Sequence, residues 1–154
     1  MKNKYPRDMV GYGKKLPKVE WPNKAKLALQ FVLNYEEGSE NSVLNGDKYS
    51  ETFLSEIIGA KPIKGRHVNM ESIYEYGSKR GFWRIHELFQ EKKIPLTIFG
   101  VAMALEKNME ICQEIKKSNY EIASHGWRWI DYQNVPRVTE KKHMQLAINS
   151  IKKI

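Results

Sequence analysis

The chain has 154 residues, of which 41% are hydrophobic and 11% aromatic, so it can bury a core and is expected to fold as one compact domain rather than as a disordered segment or a repeat array. Its formal net charge of +8 allows nucleic-acid binding in principle, but the lysines and arginines are dispersed along the chain, which favours a solvated basic surface. The single cysteine, Cys112, excludes an intrachain disulfide and a CxxC metal site, and its apolar neighbours place it in the core.

Residues 1–25 form the first segment, which shows no sustained hydrophobic period of 2 or 3.6. Pro6, Pro17 and Pro22 interrupt it, so we expect an irregular arm ahead of the folded domain in residues 26–154. The start of the chain is charged and polar, without the apolar core of a secretory signal, and no apolar run approaches the roughly 20 residues of a membrane span. These features predict a cytoplasmic protein that does not bind a membrane.

Residues 26–35 (KLALQFVLNY) form a short and nearly continuous apolar run. Such a run is typical of a strand that is buried on both faces of a parallel sheet. Glu36, Glu37 and Gly38 follow at once, so the sequence places two carboxylates at the carboxyl end of this strand.

The next stretch, residues 39–69, is polar and contains several glycines, and we predict a long loop in which residues 51–58 can form a short helix. In residues 81–93, Phe82, Ile85, Leu88 and Phe89 recur at helical spacing, which predicts an amphipathic helix with a charged outer face. Residues 94–101 (IPLTIFGV) then predict a second buried strand.

The last part of the chain continues the alternation of helices and strands. Residues 109–118 predict a helix, and residues 120–124 (YEIAS) predict a third strand that ends at His125. Thr139 can cap a final helix. This helix carries an apolar stripe that consists of Met144, Ala147, Ile148, Ile151 and Ile154.

The alternation of strands and helices predicts an α/β fold with parallel strands joined by βαβ crossovers. Three strands are few beside the eight of a closed (β/α) barrel, and the sequence stops inside an apolar helical stripe without a Gly or Asn stop signal. We therefore expect an incomplete sheet with an uncovered apolar edge.

Polar side chains at the carboxyl ends of parallel strands converge on one face, where active sites are built. Glu36 and Glu37 follow the first predicted strand, and His125 follows the third. A partly desolvated carboxylate there can act as a general base on water, and a nearby imidazole can donate to a leaving nitrogen or stabilise an oxyanion. Because adjacent residues of a strand point in opposite directions, one of the two glutamates is expected to face the cleft. Alternatively, the glutamates only begin a turn and His125 makes a structural hydrogen bond.

Aromatic residues follow His125 closely. Trp127 and Trp129 can wall a pocket with rigid surface, or they are packing residues of a surface loop. The other histidines have no evident partners and are expected to be structural or solvent-facing; they are His67, His86 and His143.

Two arginines lie ahead of the second strand. Arg80 and Arg84 are spaced to share one face of a helix. They can clamp an anionic or carbonyl-rich ligand, or they can pair with Glu71 or Glu75. The sequence leaves both interpretations open.

Five segments together resemble one protein family. They are YPRDMVGYG at residues 5–13, FVLNYEEG at 31–38, the stretch 69–84, FGVA at 99–102 and ASHG at 123–126. With these segments the chain resembles the cofactor-independent allantoinases, a branch of the polysaccharide deacetylase (NodB homology) superfamily. The resemblance implies a distorted parallel (β/α) barrel of the polysaccharide deacetylase type, of which this chain is the N-terminal part.

That superfamily ordinarily has an Asp-Asp pair after the first strand and a His-x-x-x-His motif after the third, which supply an Asp-His-His metal site. Here Glu36 and Glu37 replace the aspartates, and Trp129 stands where the second histidine belongs. An indole cannot ligate a metal, so the resemblance implies a site without a metal or another cofactor. This departure fits the allantoinase branch and argues against a metal-dependent polysaccharide deacetylase.

The resemblance implies hydrolysis of the hydantoin ring of allantoin to allantoate, in purine breakdown. Without a metal, oriented donors must polarise the carbonyl, and His125, Arg84 and backbone N–H groups are candidates. The implied catalytic residues are Glu36, Glu37 and His125. The implied substrate-binding residues are Asn34, Tyr35, Glu71, Arg84, Gly126 and Trp129.

Members of this family are longer than the chain, and their C-terminal half supplies the remaining strands and several substrate contacts. We therefore expect a homo-oligomer or a complementary C-terminal half as the partner, and neither nucleic acid nor membrane. Two alternatives remain at this point. One is a non-catalytic remnant or interaction module that binds through its uncovered edge, and the other is a basic nucleic-acid binder.

Overall fold

The computed structural model describes residues 6, 7 and 9–154; residues 1–5 and 8, which include Tyr5 and Asp8 of the YPRDMVGYG segment, lie outside the described part. Residues 9–21 contain no helix or strand and expose their side chains, and the 3-10 helix Pro22–Lys24 follows them. Within the described residues, the arm predicted for residues 1–25 is therefore irregular up to this short helix.

Three parallel strands form one sheet in the order β1-β2-β3. They are β1 (Val32–Tyr35), β2 (Thr97–Gly100) and β3 (Glu121–Ser124). The register pairs Tyr35 with Gly100 and Gly100 with Ser124, so the three strands end at the same level. The predicted α/β class with parallel strands is confirmed, and β1 and β3 are the two edges of the sheet.

The described residues form five α-helices: α1 (Val68–Tyr76), α2 (Phe82–Lys92), α3 (Ala102–Glu106), α4 (Met109–Lys117) and α5 (Arg137–Ile151). A π-helical segment, Gly77–Gly81, joins α1 to α2, and the 3-10 helix Val43–Asn45 lies in the loop after β1. The side chain of Asn108 accepts the backbone N–H of Ile111 and thereby caps α4.

The core surrounds β2, the central strand. It is buried because strands flank it on both sides and helices cover it. Cys112 lies in this core as predicted, and burial raises the pKa of its thiol. The core residues with no exposed surface include Ile98, Val101, Leu105, Ile111 and Ile115.

The first predicted strand is wrong in its extent and in its burial. Residues 26–31 form no strand, and within β1 only Tyr35 is buried. Leu27 and Leu29 are 73% and 72% exposed. An apolar run is buried only where a neighbouring element covers it, and β1 has a strand on one side alone.

The helix predictions also differ from the structure in detail. Residues 51–58 form turns and bends without a helix, whereas α1 and α3 were not predicted. Thr139 does not cap the last helix but lies inside it, because α5 begins directly after Pro136. The ring of proline fixes φ near the helical value, which suits a residue at the start of a helix.

The apolar stripe of α5 is covered on one side only. Ala147 is buried where α5 packs against α3 and β3, but Met144 and Ile148 are 59% and 44% exposed. The apolar residues on and before β1 are exposed too: Leu27, Leu29, Phe31 and Val32. The expected uncovered apolar surface is therefore present. Among the described residues, no helix combines the length and the apolar character that crossing a bilayer requires.

Candidate active site

Glu36 and His125 follow the two edge strands of the sheet. Since β2 lies between these strands, the two residues start about 10 Å apart, by the usual spacing of strands. Their side chains close this gap, and Nε2 of His125 lies 2.8 Å from Oε1 of Glu36. The structure thus brings a carboxylate and an imidazole into contact across the carboxyl end of β2.

Neighbouring groups hold this Glu36–His125 pair in place. Nδ2 of Asn34 donates to Oε1 of Glu36 at 3.2 Å, and the backbone N–H of His125 donates to the carbonyl of Gly100 at 2.9 Å. The ring of Phe99 lies against the imidazole, with 5.9 Å between ring centroids. The side chains of Glu36 and His125 are 25% and 39% exposed, so water can reach both.

Glu37 points in a different direction from Glu36. Its Oε2 accepts the backbone N–H of Glu36 at 3.2 Å, and its carboxyl group lies against the backbone of Gly77. Burial raises the pKa of Glu37, although hydrogen bonds from the backbone N–H groups of Glu37 and Glu36 oppose this effect. Of the two glutamates, Glu36 is the one that contacts His125.

A cavity of about 160 Å³ opens beside the Glu36–His125 pair. Leu54, Tyr74 and Trp129 give it apolar walls, and three carboxylates and one amide line the rest of it. The lining residues are Asn34, Glu36, Glu37, Glu40, Leu54, Tyr74 and Trp129. Pockets for drug-sized ligands measure roughly 300–1,000 Å³, so this cavity fits a compact ligand.

Trp129 is fixed in the cavity wall by several contacts. Its backbone N–H donates to the carbonyl of Ser39 at 3.1 Å. Its ring packs against Phe53 and Tyr74, with centroid distances of 5.7 and 6.2 Å. The indole is therefore a rigid part of the wall of the cavity that Glu36 also lines.

Arg128 ties this wall to the loop after β1. Its guanidinium group donates to Oδ1 of Asp47 and to the carbonyl of Glu40, both at 2.8 Å. Burial alone would raise the pKa of Asp47, but the hydrogen bonds from Arg128 and from the backbone N–H of Ser42 lower it. The ion pair is largely buried, so Arg128 and Asp47 hold the two cavity-forming loops together.

Three of the predicted substrate-binding residues do not lie at the Glu36–His125 pair. Tyr35 is buried in the core, where burial raises its pKa to about 12. Glu71 pairs with Arg66, whose Nε lies 3.1 Å from the carboxylate. Tyr35 and Glu71 both line a second cavity of about 390 Å³, which shares Glu37 with the first cavity. The third is Arg84, which is exposed and donates to the hydroxyl of Tyr76 at 2.9 Å.

Neither Arg80 nor Arg84 pairs with Glu71 or Glu75, so this one of the two interpretations that the sequence left open is wrong. Arg80 lies 4.0 Å from Glu87, and Glu75 pairs with Lys79. Arg80 lies in the π-helical segment and Arg84 lies in α2, so the two arginines do not belong to one regular α-helix, as their spacing had been taken to indicate.

Gly126 shapes the loop after β3. It adopts a φ of +84°, a left-handed conformation that glycine reaches without strain. Its carbonyl accepts the N–H of Ala102 at 2.9 Å, and the carbonyl of Trp127 accepts the N–H of Met103 at 3.1 Å. These bonds satisfy the first N–H groups of α3 and fix the path of the chain from His125 to Trp129.

The remaining histidines have structural partners, which the sequence did not reveal, and this agrees with the first of the two roles expected for them, structural or solvent-facing. Nδ1 of His86 lies 3.2 Å from the hydroxyl of Tyr120, and Nδ1 of His143 lies 2.9 Å from the hydroxyl of Tyr132. His67 accepts the N–H of Met70 and caps α1.

The described residues do not fit an Asp-His-His type of metal site. Glu36 and His125 could each provide one ligand atom, but the third position is Trp129, whose indole has no lone pair to offer. In residues 6, 7 and 9–154, no group of three or more His, Cys, Asp or Glu side chains is arranged to hold a metal ion.

Comparison with known proteins gives consistent matches. The family model described as "Polysaccharide deacetylase" matches residues 69–154. A Schizosaccharomyces pombe protein that is provisionally named a polysaccharide deacetylase is 42% identical over 151 residues, which are 96% of this chain and 47% of that protein.

Two solved structures resemble the fold closely. The crystal structure of PuuE allantoinase has a TM-score of 0.91 and 50% identity, and the match covers 97% of this chain and 50% of that one. A Pseudomonas aeruginosa PAO1 protein, provisionally described as a polysaccharide deacetylase, has a TM-score of 0.91 and 51% identity with the same coverage. The chain thus spans about half the length of the proteins that it matches.

Proposed function

Because the chain belongs to the polysaccharide deacetylase family, we propose that it forms one half of a hydrolase that opens a cyclic amide with water, with allantoin as the substrate. The 50% identity to PuuE allantoinase over 97% of the chain supports this substrate. A complementary C-terminal half would supply the part of the domain that this sequence does not include, and a second copy of the chain is the other partner that we propose.

The observation that carries the proposal is the Glu36–His125 contact of 2.8 Å beside a cavity of about 160 Å³. The Glu36 carboxylate takes a proton from a water molecule, and the water oxygen adds to the carbonyl carbon of the ring amide. The C–N bond then breaks, the ring nitrogen takes up this proton, and the carbonyl becomes a carboxylic acid, which releases the second proton of the water to give the carboxylate of allantoate. His125 holds Glu36 in the orientation that this transfer needs and can pass the proton to the nitrogen.

A donor near Glu36 can also polarise the ring carbonyl. The amide of Asn34 lines the cavity and gives one N–H to Glu36, which leaves its second amide hydrogen for the substrate. We propose this role for Asn34 in place of Arg84, since Arg84 lines neither cavity described above. Trp129, Tyr74 and Leu54 would enclose the flat ring and exclude excess water.

A fusion protein tests the proposal directly. This chain replaces the matching half of PuuE allantoinase, which gives a complete domain. We expect the fusion to convert allantoin to allantoate. A folded fusion without this activity, next to an active PuuE allantoinase control, would contradict the proposal.

We predict that the fusion needs no divalent metal. The reason is that Trp129 removes one ligand of the usual site and that Glu37 is turned toward backbone N–H groups. Activity after dialysis against a strong chelator should equal the untreated activity. A large loss that zinc restores would show that a metal takes part.

A metal-dependent deacetylase is the second candidate, because the matched family and two of the matched proteins carry that name. The tryptophan at position 129 weighs against it, since the metal needs three ligands. Release of acetate from N-acetylglucosamine oligomers by the fusion would favour this candidate.

The Arg128–Asp47 ion pair should stabilise the cavity wall. The folded-state pKa of Asp47 is lowered, so its contribution to stability is present above its ordinary pKa and is lost as the pH falls through the lowered value. In the fusion, Asp47→Asn should lower the free energy of unfolding by about 1–3 kcal/mol at pH 6. The difference between the variant and the parent should shrink toward pH 3.

Thermal unfolding at the two pH values measures this effect. Glu75→Gln is the matched control, because the Glu75–Lys79 pair is exposed and is expected to change stability by less than about 0.5 kcal/mol. Equal effects of Asp47→Asn at both pH values would show that the charge of Asp47 does not stabilise the fold.

A further inference from the structure

We propose that Glu37 is a positioning residue: its carboxyl group, seated against Gly77 of the π-helical segment, fixes the backbone of Glu36 and so aims Glu36 at His125. The reacting role of Glu36 rests on the function proposed above. The name "seat" is used for the packing of the Glu37 carboxyl group against Gly77 together with its hydrogen bonds from the N–H groups of Glu36 and Glu37. These contacts are present in the structure whatever the activity is.

The first contact joins the two glutamates. Oε2 of Glu37 accepts the backbone N–H of Glu36 at 3.2 Å, so the carboxyl group turns back on the strand end rather than toward His125. The N–H of Glu37 itself also donates to this carboxyl group. Two successive backbone groups at the end of β1 are thus held by one side chain.

The second contact joins Glu37 to the helix. A Cβ atom at Gly77 would overlap Oε1 of Glu37, so a residue other than glycine would displace the carboxyl group. Gly77 has φ and ψ of −56° and −52°, an ordinary helical conformation that alanine adopts more readily. The backbone conformation therefore does not require glycine here, and the space for Glu37 accounts for it.

The location of Gly77 supports a functional role for its contact with Glu37. It begins the π-helical segment Gly77–Gly81, and such insertions in helices are frequent at functional sites. Gly81, at the other end of the segment, has φ and ψ of −58° and −49°, and a Cβ atom added there would meet its nearest neighbour at 3.6 Å, an ordinary contact distance. Gly81 is therefore a matched control for Gly77.

Thermal unfolding of the fusion protein tests the seat. Gly81→Ala should keep or raise the melting temperature, since alanine favours helix. Gly77→Ala should give a lower melting temperature than Gly81→Ala, because the added Cβ pushes the Glu37 carboxyl group away from its backbone donors. In the double variant Glu37→Ala with Gly77→Ala the overlap is gone, so the melting temperature should recover at least to that of Glu37→Ala. Equal melting temperatures for Gly77→Ala and Gly81→Ala would overturn the seat.

Kinetics and crystallography of the same fusion test the positioning role. Glu37→Gln keeps an oxygen that accepts the Glu36 N–H, so it should retain at least roughly a tenth of kcat. Glu37→Ala should lose about 10²-fold in kcat with little change in KM. In crystals, the contact between Glu36 and His125 should persist in the glutamine variant and open in the alanine variant.

These outcomes separate the two proposals. A glutamine variant as inactive as the Glu36→Gln variant, or an intact Glu36–His125 contact in the alanine variant, would overturn the positioning role. If the parent fusion does not hydrolyse allantoin, the proposed function fails, but the melting temperatures and the crystallographic distance still decide whether Glu37 positions Glu36.

Discussion

Replacing Glu36 by glutamine in the fusion protein is expected to lower kcat for allantoin by roughly 10²-fold or more, because the amide cannot take a proton from water. The side chain keeps its size and can still accept a hydrogen bond, so the fold should be unchanged. Stopped assays of allantoate formation measure the rate, and the melting temperature reports the fold. Glu110→Gln, on the exposed first turn of α4, is the matched control and should keep the parent rate.

His125→Ala should be similarly severe, since it removes the group that lies 2.8 Å from Glu36. If the Glu36 and His125 variants both retain near-parent rates while folded, the contact between them is structural. The alternative interpretation of the sequence, in which the glutamates only begin a turn, would then be the better one.

The second prediction with a large expected effect concerns the association and the stability of the chain without a complementary half. Its uncovered apolar residues lie on two sides of the fold, at the β1 edge and along α5, as Leu27, Leu29, Met144 and Ile148 show. Exposed surface of this kind drives association or local unfolding. We therefore expect the isolated chain to associate or to be partly molten, and to be inactive on allantoin.

Sedimentation and amide hydrogen exchange measure these properties. The fusion protein, analysed in the same buffer, is the control for a covered edge. A monodisperse chain monomer with strong amide protection throughout, or allantoin hydrolysis by the chain alone, would contradict the expectation.

The sequence predicts those parts of the fold that depend on local patterns. The ends of β1 and β3 were predicted because polar residues follow their apolar runs, and this placed Glu36 and His125 at one edge. The second strand was predicted to end at Val101, one residue beyond the end of β2. The burial of residues 26–31 was predicted wrongly, because the pattern reports a capacity for burial and not whether a neighbour is present.

Contacts between distant residues could not be predicted in this way. Arg128 and Asp47 are 81 positions apart, so only the folded chain shows that they close the cavity wall. Leu54 and Tyr74 join that wall from a loop and from α1, and neither residue was among the predicted site residues. The direction of Glu37 depends on the π-helical segment at Gly77, which hydrophobic periodicity does not reveal.

The family match extends over residues 69–154 and so includes His125 but not Glu36. The assignment of Glu36 therefore depends on its contact with His125 and on the similarity of the whole chain to the solved structures. For this reason the Glu36 variant carries more weight than any further comparison.

The most direct measurement compares two products of the same fusion protein in chelator-containing buffer. Allantoin and an N-acetylglucosamine oligomer are supplied in parallel, and allantoate and acetate are quantified. We expect allantoate formation that Glu36→Gln abolishes, with no acetate above background. Acetate release without allantoate, or allantoate formation that Glu36→Gln leaves unchanged, would contradict it.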